Sequence, residues 1–171
     1  MGTTGAAPKE PRSARPRTRE SSAALDDTDA HLVELLQREG RLTLSELGRR
    51  VSLSPAAVTE RVRRLEEGGV ITGYGARVDP ERLGYGITAF VRVSPHGGFS
   101  LEHPRTRTLL ERPEIREAHC VVGEAHWILK IAVPGTAALR DLLDELGKLG
   151  TTTTSIVLHT PVEGRPLPVR E

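Results

Sequence analysis

The sequence predicts an α+β protein, with a helical N-terminal part followed by a part of mixed helices and strands. Two observations predict this class. Up to Leu65, apolar residues recur at three- and four-residue spacing in three short stretches, which is the period of a helix. From Ile87, β-rich runs and amphipathic stretches follow in the order β-α-β-β-α-β, which is the ferredoxin-like arrangement. We therefore expect a helix-turn-helix joined to a ferredoxin-like domain.

The first 24 residues differ in composition from the rest of the chain. They contain five basic residues, two acidic residues and three prolines, but no Leu, Ile, Val or aromatic residue. Such a segment cannot bury enough apolar area to offset the entropy lost on ordering, so we expect 1–24 to be a disordered basic tail. Its composition favours a solubilising role, with weak contacts to phosphate as the alternative.

The first predicted helix follows this tail and ends at Gly40. Acidic side chains open it, and carboxylates at a helix start suit both the free N–H groups and the helix dipole. The acidic residues are Asp26, Asp27 and Asp29, and the residues at helical spacing are Leu25, Thr28, Leu32, Leu35 and Leu36.

Two further helices carry their own start signals. Thr43 and Glu46 form a capping-box pair, and Ser54 with Pro55 offers a capping side chain before a proline at the first helical position. The third helix ends at Gly68 and Gly69. Because about three residues join the second and third helices, we predict a helix-turn-helix domain over 25–72, with a generic three-helix bundle as the alternative.

The distribution of charge favours DNA binding. The net charge of +1 argues against a nucleic-acid ligand at first sight, but six arginines and two glutamates between Arg41 and Arg64 give a local charge of +4. Small residues near the start of the third helix allow close approach to base edges, and arginine suits guanine or phosphate. A solvated basic face is the alternative. The candidate DNA-binding residues are Arg41, Ser54, Ala56, Ala57, Glu60, Arg61 and Arg64.

The remaining elements follow from changes in period. Val70–Val78 predicts a strand and turn, so we expect a wing and linker over 73–86 and a ferredoxin-like domain over 87–161, followed by a tail over 162–171. The predicted strands are Ile87–Val93, Ile115–Val122, Trp127–Val133 and Thr152–Leu158, and the predicted helices are Leu101–Glu111 and Thr136–Leu146.

Several of these strands are apolar on both faces. In the first strand, Phe90 points to the face opposite that of Val91. In the third strand, Ile128 and Ala132 point to the face opposite that of Leu129. Two helices cover only one face of such a sheet. We therefore expect a homodimer or a larger assembly to bury the other face.

Other classes of protein are disfavoured. A single cysteine excludes a disulfide framework, and no charge-free run reaches the length of a membrane span. No phosphate loop or nucleophile motif is present, so we expect neither an enzyme nor a catalytic residue. His119 and Cys120 alternate in one strand, which argues against a metal site, and we expect Cys120 to be a small core residue. We expect a cytoplasmic protein with no membrane partner and no cofactor.

Two separated motifs carry a family resemblance. LSPAAVTERVRRLEEGGVITGY (Leu53–Tyr74) and EAHCVVGEAHWILK (Glu117–Lys130) resemble the leucine-responsive/AsnC family of prokaryotic transcription regulators. The resemblance extends from Leu25 to Pro161. It implies a winged helix-turn-helix, a ferredoxin-like ligand domain, dimers that assemble to tetramers or octamers, and an amino acid or related metabolite as effector.

The resemblance also implies an effector site at the turn that in the family reads Gly-Asp-x-Asp-aromatic. Here His126 stands where the family commonly has Asp, and Lys148-Leu149-Gly150 replaces the family's Pro-Gly-Val before the last strand. A neutral imidazole accepts one hydrogen bond from an ammonium group, whereas a protonated one repels it. A purely structural turn is therefore the alternative. The candidate effector residues are Gly123, Glu124, His126, Trp127, Thr152 and Thr154.

Two classes of function remain open from the sequence. The first is a sequence-specific regulator of transcription whose oligomer responds to a bound metabolite. The second is an architectural, nucleoid-type protein that holds double-stranded DNA without an effector.

Overall fold

The computed structural model describes residues 25–96, 104–123 and 125–169. The predicted tail over 1–24, the candidate effector residue Glu124 and the predicted first three residues of the fourth helix (101–103) lie outside this described part. The described residues form two compact units. The first contains 25–75 and 165–169, and the second contains the described residues between 76 and 164.

Three helices form the first unit: α1 (Asp27–Arg38), α2 (Leu44–Val51) and α3 (Pro55–Glu67). Each begins at a side chain that accepts a hydrogen bond from a backbone N–H three residues later, namely Asp26, Thr43 and Ser54. The predicted helix starts at Thr43 and Ser54 are therefore confirmed, because a capping oxygen satisfies a backbone donor that the helix leaves open.

The core of this unit joins all three helices. Leu32 of α1, Leu47 of α2 and Val58, Val62 and Leu65 of α3 are buried together. α3 therefore turns one stripe of its surface inward and holds the opposite stripe outward, which is the geometry that a helix needs to present side chains to a partner.

The segment after α3 differs from the prediction. Val70–Val78, predicted as strand and turn, forms neither a helix nor a strand, and between it and Ile87, within the described range 25–96, there is only a short 3-10 turn at Glu81–Leu83. Every residue of 72–84 is exposed. Tyr74 and Val78 favour strands by type, but they are 54% and 57% exposed and Gly73 and Gly75 interrupt the run, so the predicted strand in this segment is wrong.

The second unit is a four-stranded antiparallel sheet with two helices on one face. Its elements are β1 (Ile87–Pro95), α4 (Pro104–Leu110), β2 (Ile115–Cys120), β3 (Trp127–Val133), α5 (Thr136–Gly147) and β4 (Gly150–Ile156). The strand order is β2-β3-β1-β4. This order confirms the predicted ferredoxin-like arrangement.

The core of the second unit lies between the sheet and the helices. Alternate residues of β1 and β3 point into it, and the cross-strand pairs Val91 with Leu129 and Ala89 with Ile131 form its centre. The opposite pairs, including Phe90 with Lys130 and Arg92 with Ile128, form the outer face of the sheet. Phe90 is 41% exposed there, in agreement with the prediction of an apolar residue on an uncovered face.

Cys120 is exposed, contrary to the expectation of a core position. It lies at the end of β2, which is an edge strand, whereas α5 packs against β1, β3 and β4. The alternation of β2 assigns Cys120 to the inner face correctly, but a residue at the corner of the sheet is not covered by the helices that bury the central strands.

The C-terminal residues return to the first unit. The carboxamide of Gln37 in α1 donates to the carbonyl oxygen of Leu167 over 2.9 Å and accepts from its N–H over 2.8 Å. Upstream, Arg77 donates to the carbonyl oxygen of Glu163, and a Cβ at Gly164 would collide with its guanidinium. A segment predicted as a simple tail therefore makes specific contacts.

Candidate DNA-binding surface and effector turn

The outward stripe of α3 is the candidate DNA-binding surface. It lies opposite the buried residues Val58, Val62 and Leu65, as the 100° step of a helix requires. Its residues are exposed, and most of them are polar or charged. They are Ala56, Thr59, Glu60, Arg63, Arg64 and Glu67.

The predicted DNA-binding residues of α3 fall into different environments. The Ser54 hydroxyl accepts from the N–H of Ala57 over 3.2 Å, so it caps the helix. Ala56 is exposed and Ala57 is half-buried. Glu60 is exposed but bonds to Arg63, whereas Arg64 is exposed and makes no ion pair within the described part of the chain.

Arg61 does not point outward as the sequence pattern predicted. Its side chain is only 25% exposed, and its Nη1 donates to Asp26 over 2.6 Å and to Asp29 over 2.8 Å. The hydrogen bond from Arg61 holds the pKa of the Asp26 carboxyl below its ordinary value. The role assigned to Arg61 is therefore corrected: it joins α3 to the start of α1.

Most of the predicted basic patch is neutralised in the same way. Arg49 pairs with Glu46, Arg50 pairs with Glu39 and Glu46, and Arg63 pairs with Glu60 and Glu67. Asp26, Asp29, Glu39 and Glu67 lie outside the 41–64 window in which the local charge of +4 was counted. Among the described residues, Arg41 and Arg64 are the arginines of this window that have no ion-pair partner.

Three residues of the outward stripe, Thr59, Arg63 and Glu67, were missed from the sequence. Thr59 and Arg63 lie between Ala56 and Glu67 on that stripe. The signal for Arg63 is the spacing of Glu60, Arg63 and Glu67, because residues three and four apart are neighbours on a helix surface.

The turn between β2 and β3 is the candidate effector turn. It is closed by a backbone hydrogen bond of 3.0 Å from Val121 N–H to the carbonyl oxygen of His126. Because these residues close the turn, β2 ends at Cys120 and not at Val122 as predicted. Gly123 has a positive φ of 142°, and Gly123 and His126 are exposed.

The other predicted effector residues do not project from this turn. Trp127 is 7% exposed and lines a small internal cavity with Val93, Leu129 and Leu146. Thr152 pairs with Val93 and Thr154 with Val91, so both threonines share the helix-covered face, where they are half-buried. Thr152 lies two strands from Trp127, which is about 10 Å at the usual strand spacing.

Comparison with known proteins identifies both units. Residues 25–66 match the AsnC-type helix-turn-helix domain, and residues 88–167 match the Lrp/AsnC ligand binding domain. The chain belongs to the Lrp/AsnC family. Its members are transcription regulators, and the resemblance seen in the two sequence motifs is confirmed.

Individual Lrp/AsnC proteins are similar over most of the chain. The transcriptional regulator LrpA of Mycobacterium tuberculosis is 40% identical over 139 residues, which cover 80% of this chain and 92% of LrpA. The leucine-responsive regulatory protein of Escherichia coli is 34% identical over 151 residues, covering 85% and 92%. A feast or famine regulatory protein of M. tuberculosis, solved in complex with L-methionine, has a TM-score of 0.77 at 38% identity, covering 85% of this chain and all of that one.

The described part of this Lrp/AsnC chain has neither a cluster of metal-ligating side chains nor a helix that could span a membrane. Across residues 25–96, 104–123 and 125–169, no three His, Cys, Asp or Glu side chains gather as a metal ion would require. No helix in that part of the chain is both long and apolar enough to cross a bilayer.

Proposed function

We propose that this Lrp/AsnC regulator binds double-stranded DNA through the outward stripe of α3, with Arg41 and Arg64 supplying the cations. The observation that carries the proposal is the pairing of the other arginines of the 41–64 window with carboxylates of their own unit. An arginine without an internal partner breaks no ion pair of its own unit when it binds a phosphate. Ser54 and Ala56 allow the start of α3 to approach the groove closely.

The second part of the proposal is a homodimer, assembling further to a tetramer or octamer. Phe90 supports it, because a large apolar residue that is 41% exposed on the uncovered sheet face is stabilised by burial against a second copy. A two-fold assembly places two recognition helices in major grooves about 34 Å apart.

The third part is an amino acid effector bound at the turn between β2 and β3. The match to the Lrp/AsnC ligand binding domain and the L-methionine complex of a similar protein support it. Gly123, Glu124 and His126 would contact the ligand, and Trp127 would support the turn from the inner face, whereas Thr152 and Thr154 are left out of this site because they lie on β4, two strands away from β3. We propose that the protein acts in the cytoplasm, without a cofactor and without catalysis.

A binding experiment tests the role of the unpaired arginines. Arg64→Gln should lower DNA affinity about fivefold at 0.15 M salt. If the contact is to phosphate, it should also reduce the salt slope, which is the slope of log affinity against log salt concentration, by about one. Fluorescence anisotropy across a salt series measures both. Arg61→Gln is the matched variant, and it should lower the melting temperature and leave the salt slope unchanged. Equal affinity of wild type, Arg41→Gln and Arg64→Gln would contradict the proposal.

A ligand panel tests the effector. A thermal-shift screen of amino acids and keto acids should give at least one ligand that raises the melting temperature and changes DNA affinity, and His126→Ala should remove its effect. No response from any ligand, with DNA binding intact, would favour the architectural alternative.

A further inference from the structure

We propose that Arg63 is a specificity-determining residue of α3, that Glu60 and Arg63 together read one G·C base pair, and that Glu67 is a positioning residue. This inference rests on the proposed binding of DNA by α3. It adds the base that is read and the side chains that read it.

The position of Arg63 is the first argument. It lies on the outward stripe of α3, opposite the buried Val58 and Val62, and its side chain is 51% exposed. Glu60 precedes it by one turn and Glu67 follows it by one turn, and both are also more than half exposed. A helix that enters a groove with its buried stripe turned away brings these side chains to the bases.

The geometry of the guanidinium is the second argument. Nε and Nη2 donate to the two carboxylate oxygens of Glu60 over 3.0 Å and 2.6 Å, and Nη1 donates to Glu67 over 2.6 Å. The bonds to Glu60 and Glu67 raise the pKa of Arg63, and the bond from Arg63 lowers the pKa of Glu60. Glu60 on one side and Glu67 on the other therefore fix the direction of the long Arg63 side chain through charge-assisted hydrogen bonds.

The charge of this group argues against a phosphate contact. Glu60, Arg63 and Glu67 together carry a charge of −1, and both carboxylates would repel a phosphate that approached the guanidinium. Base edges in the major groove are complementary instead. Guanine offers two acceptors, O6 and N7, that suit arginine, and the cytosine paired with it offers an N4 donor that suits a glutamate.

Glu60 and Arg63 therefore match the two halves of one base pair. Nη2 carries two N–H groups and Nη1 carries two more, so the guanidinium can donate to guanine while it keeps a bond to Glu67. Glu60 loses part of its bond to Arg63 on binding and gains the cytosine amino group. Glu67, the last residue of α3, holds the Arg63 guanidinium against the outward stripe.

Selection from a random DNA library tests the inference in the full-length protein. Wild type should select G·C at one position of each half-site. Arg63→Ala should reduce that preference by about 5- to 150-fold, the range for one bidentate base contact, and Glu60→Ala should reduce it by a smaller factor because it removes a single acceptor contact. Glu67→Gln should keep G·C as the preferred pair but weaken the preference, because it loosens the hold on the Arg63 guanidinium, and it should raise affinity for random DNA, because it removes a negative charge from the stripe.

Glu46→Gln is the matched control, since it removes a similar glutamate paired three residues away with Arg49 on α2. It should leave the preference at that position unchanged. Preferences of Arg63→Ala and Glu60→Ala that are identical to wild type would overturn the inference, and so would a loss of affinity that is uniform across all sequences. A wild type that selects no motif would instead count against the proposed function.

Discussion

At the scale of single residues, the ion pairs decide which arginines are available to DNA. Arg61 and Arg64 are three positions apart and look equivalent in the sequence, yet one is held by α1 and the other is free to contact a partner. The difference arises because the packing of α1 against α3 brings Asp26 and Asp29 to Arg61. Counting charge along the chain therefore overestimates the basic surface.

The pair of Asp26 and Arg61 predicts a dependence of stability on pH. Because Arg61 lowers the pKa of Asp26 in the folded state, the pair stabilises the fold above about pH 3.9, the ordinary pKa of an aspartate. That contribution is lost as the pH falls through the lowered value. Asp26→Asn keeps the capping oxygen but removes the charge. Its melting temperature should lie below that of wild type at pH 7, and the gap should close toward pH 3.

Thermal melts between pH 7 and pH 3 measure this gap. Asp27→Asn is the control, since Asp27 is exposed in the same turn and forms no ion pair within the described residues. A gap for Asp26→Asn that stays constant over the whole range would show that the pair with Arg61 does not contribute.

At the scale of elements, the close approach of α2 to the turn before α3 sets the position of α3 relative to α2. Gly48 is buried in α2, and a Cβ there would lie 2.5 Å from the backbone oxygen of Leu53. The N–H of Leu53 also donates to the carbonyl oxygen of Gly48 over 2.9 Å. Only glycine permits this contact, because the opposing atom is backbone and cannot move aside without moving α3.

Gly48→Ala should therefore destabilise the protein by about 1–3 kcal/mol, the usual range for overpacking, although alanine favours helices. Chemical denaturation measures the change. Gly147→Ala in α5 is the control, because a Cβ there meets nothing within 4 Å and alanine should be neutral or stabilise by up to about 1 kcal/mol. Equal effects of the two substitutions would contradict the role of the close approach.

At the scale of the whole molecule, the two faces of the sheet differ in what covers them. α4 and α5 cover the inner face, which holds Val91, Leu129 and Ile131, while the outer face carries Phe90 among charged side chains. A second copy of the chain would bury the outer face. The inner face can thus form the core of the ligand domain while the outer face remains available for assembly.

Phe90→Arg should weaken that assembly. A charge introduced at an apolar contact, beside Arg92 and Lys130, should raise the dissociation constant at least tenfold, since truncating a central aromatic commonly costs more than 1 kcal/mol. Sedimentation velocity over a range of concentrations measures it. Leu83→Arg is the control, at a side chain that is 60% exposed outside the sheet. An unchanged mass distribution for Phe90→Arg would exclude the outer face as the interface.

Much of the fold could be predicted because its signals are local. Thr43 and Ser54 cap their helices where the sequence indicates, and the bounds of β3 agree with the prediction. The predicted β4 began two residues late, because its register is set by pairing with β1: Gly150 pairs with Pro95. A threonine run by itself does not indicate which residue pairs first.

The three capped helices, the order of the strands and the membership of the Lrp/AsnC family could all be recognised in the sequence, since helix caps, periodicity and motifs depend on residues that are near one another in the chain. The ion pair of Arg61 with the start of α1, the burial of Trp127 and the exposure of Cys120 became visible in the folded structure alone. These outcomes depend on how distant elements pack, because burial and ion pairing are set by neighbours that come together only in the folded protein.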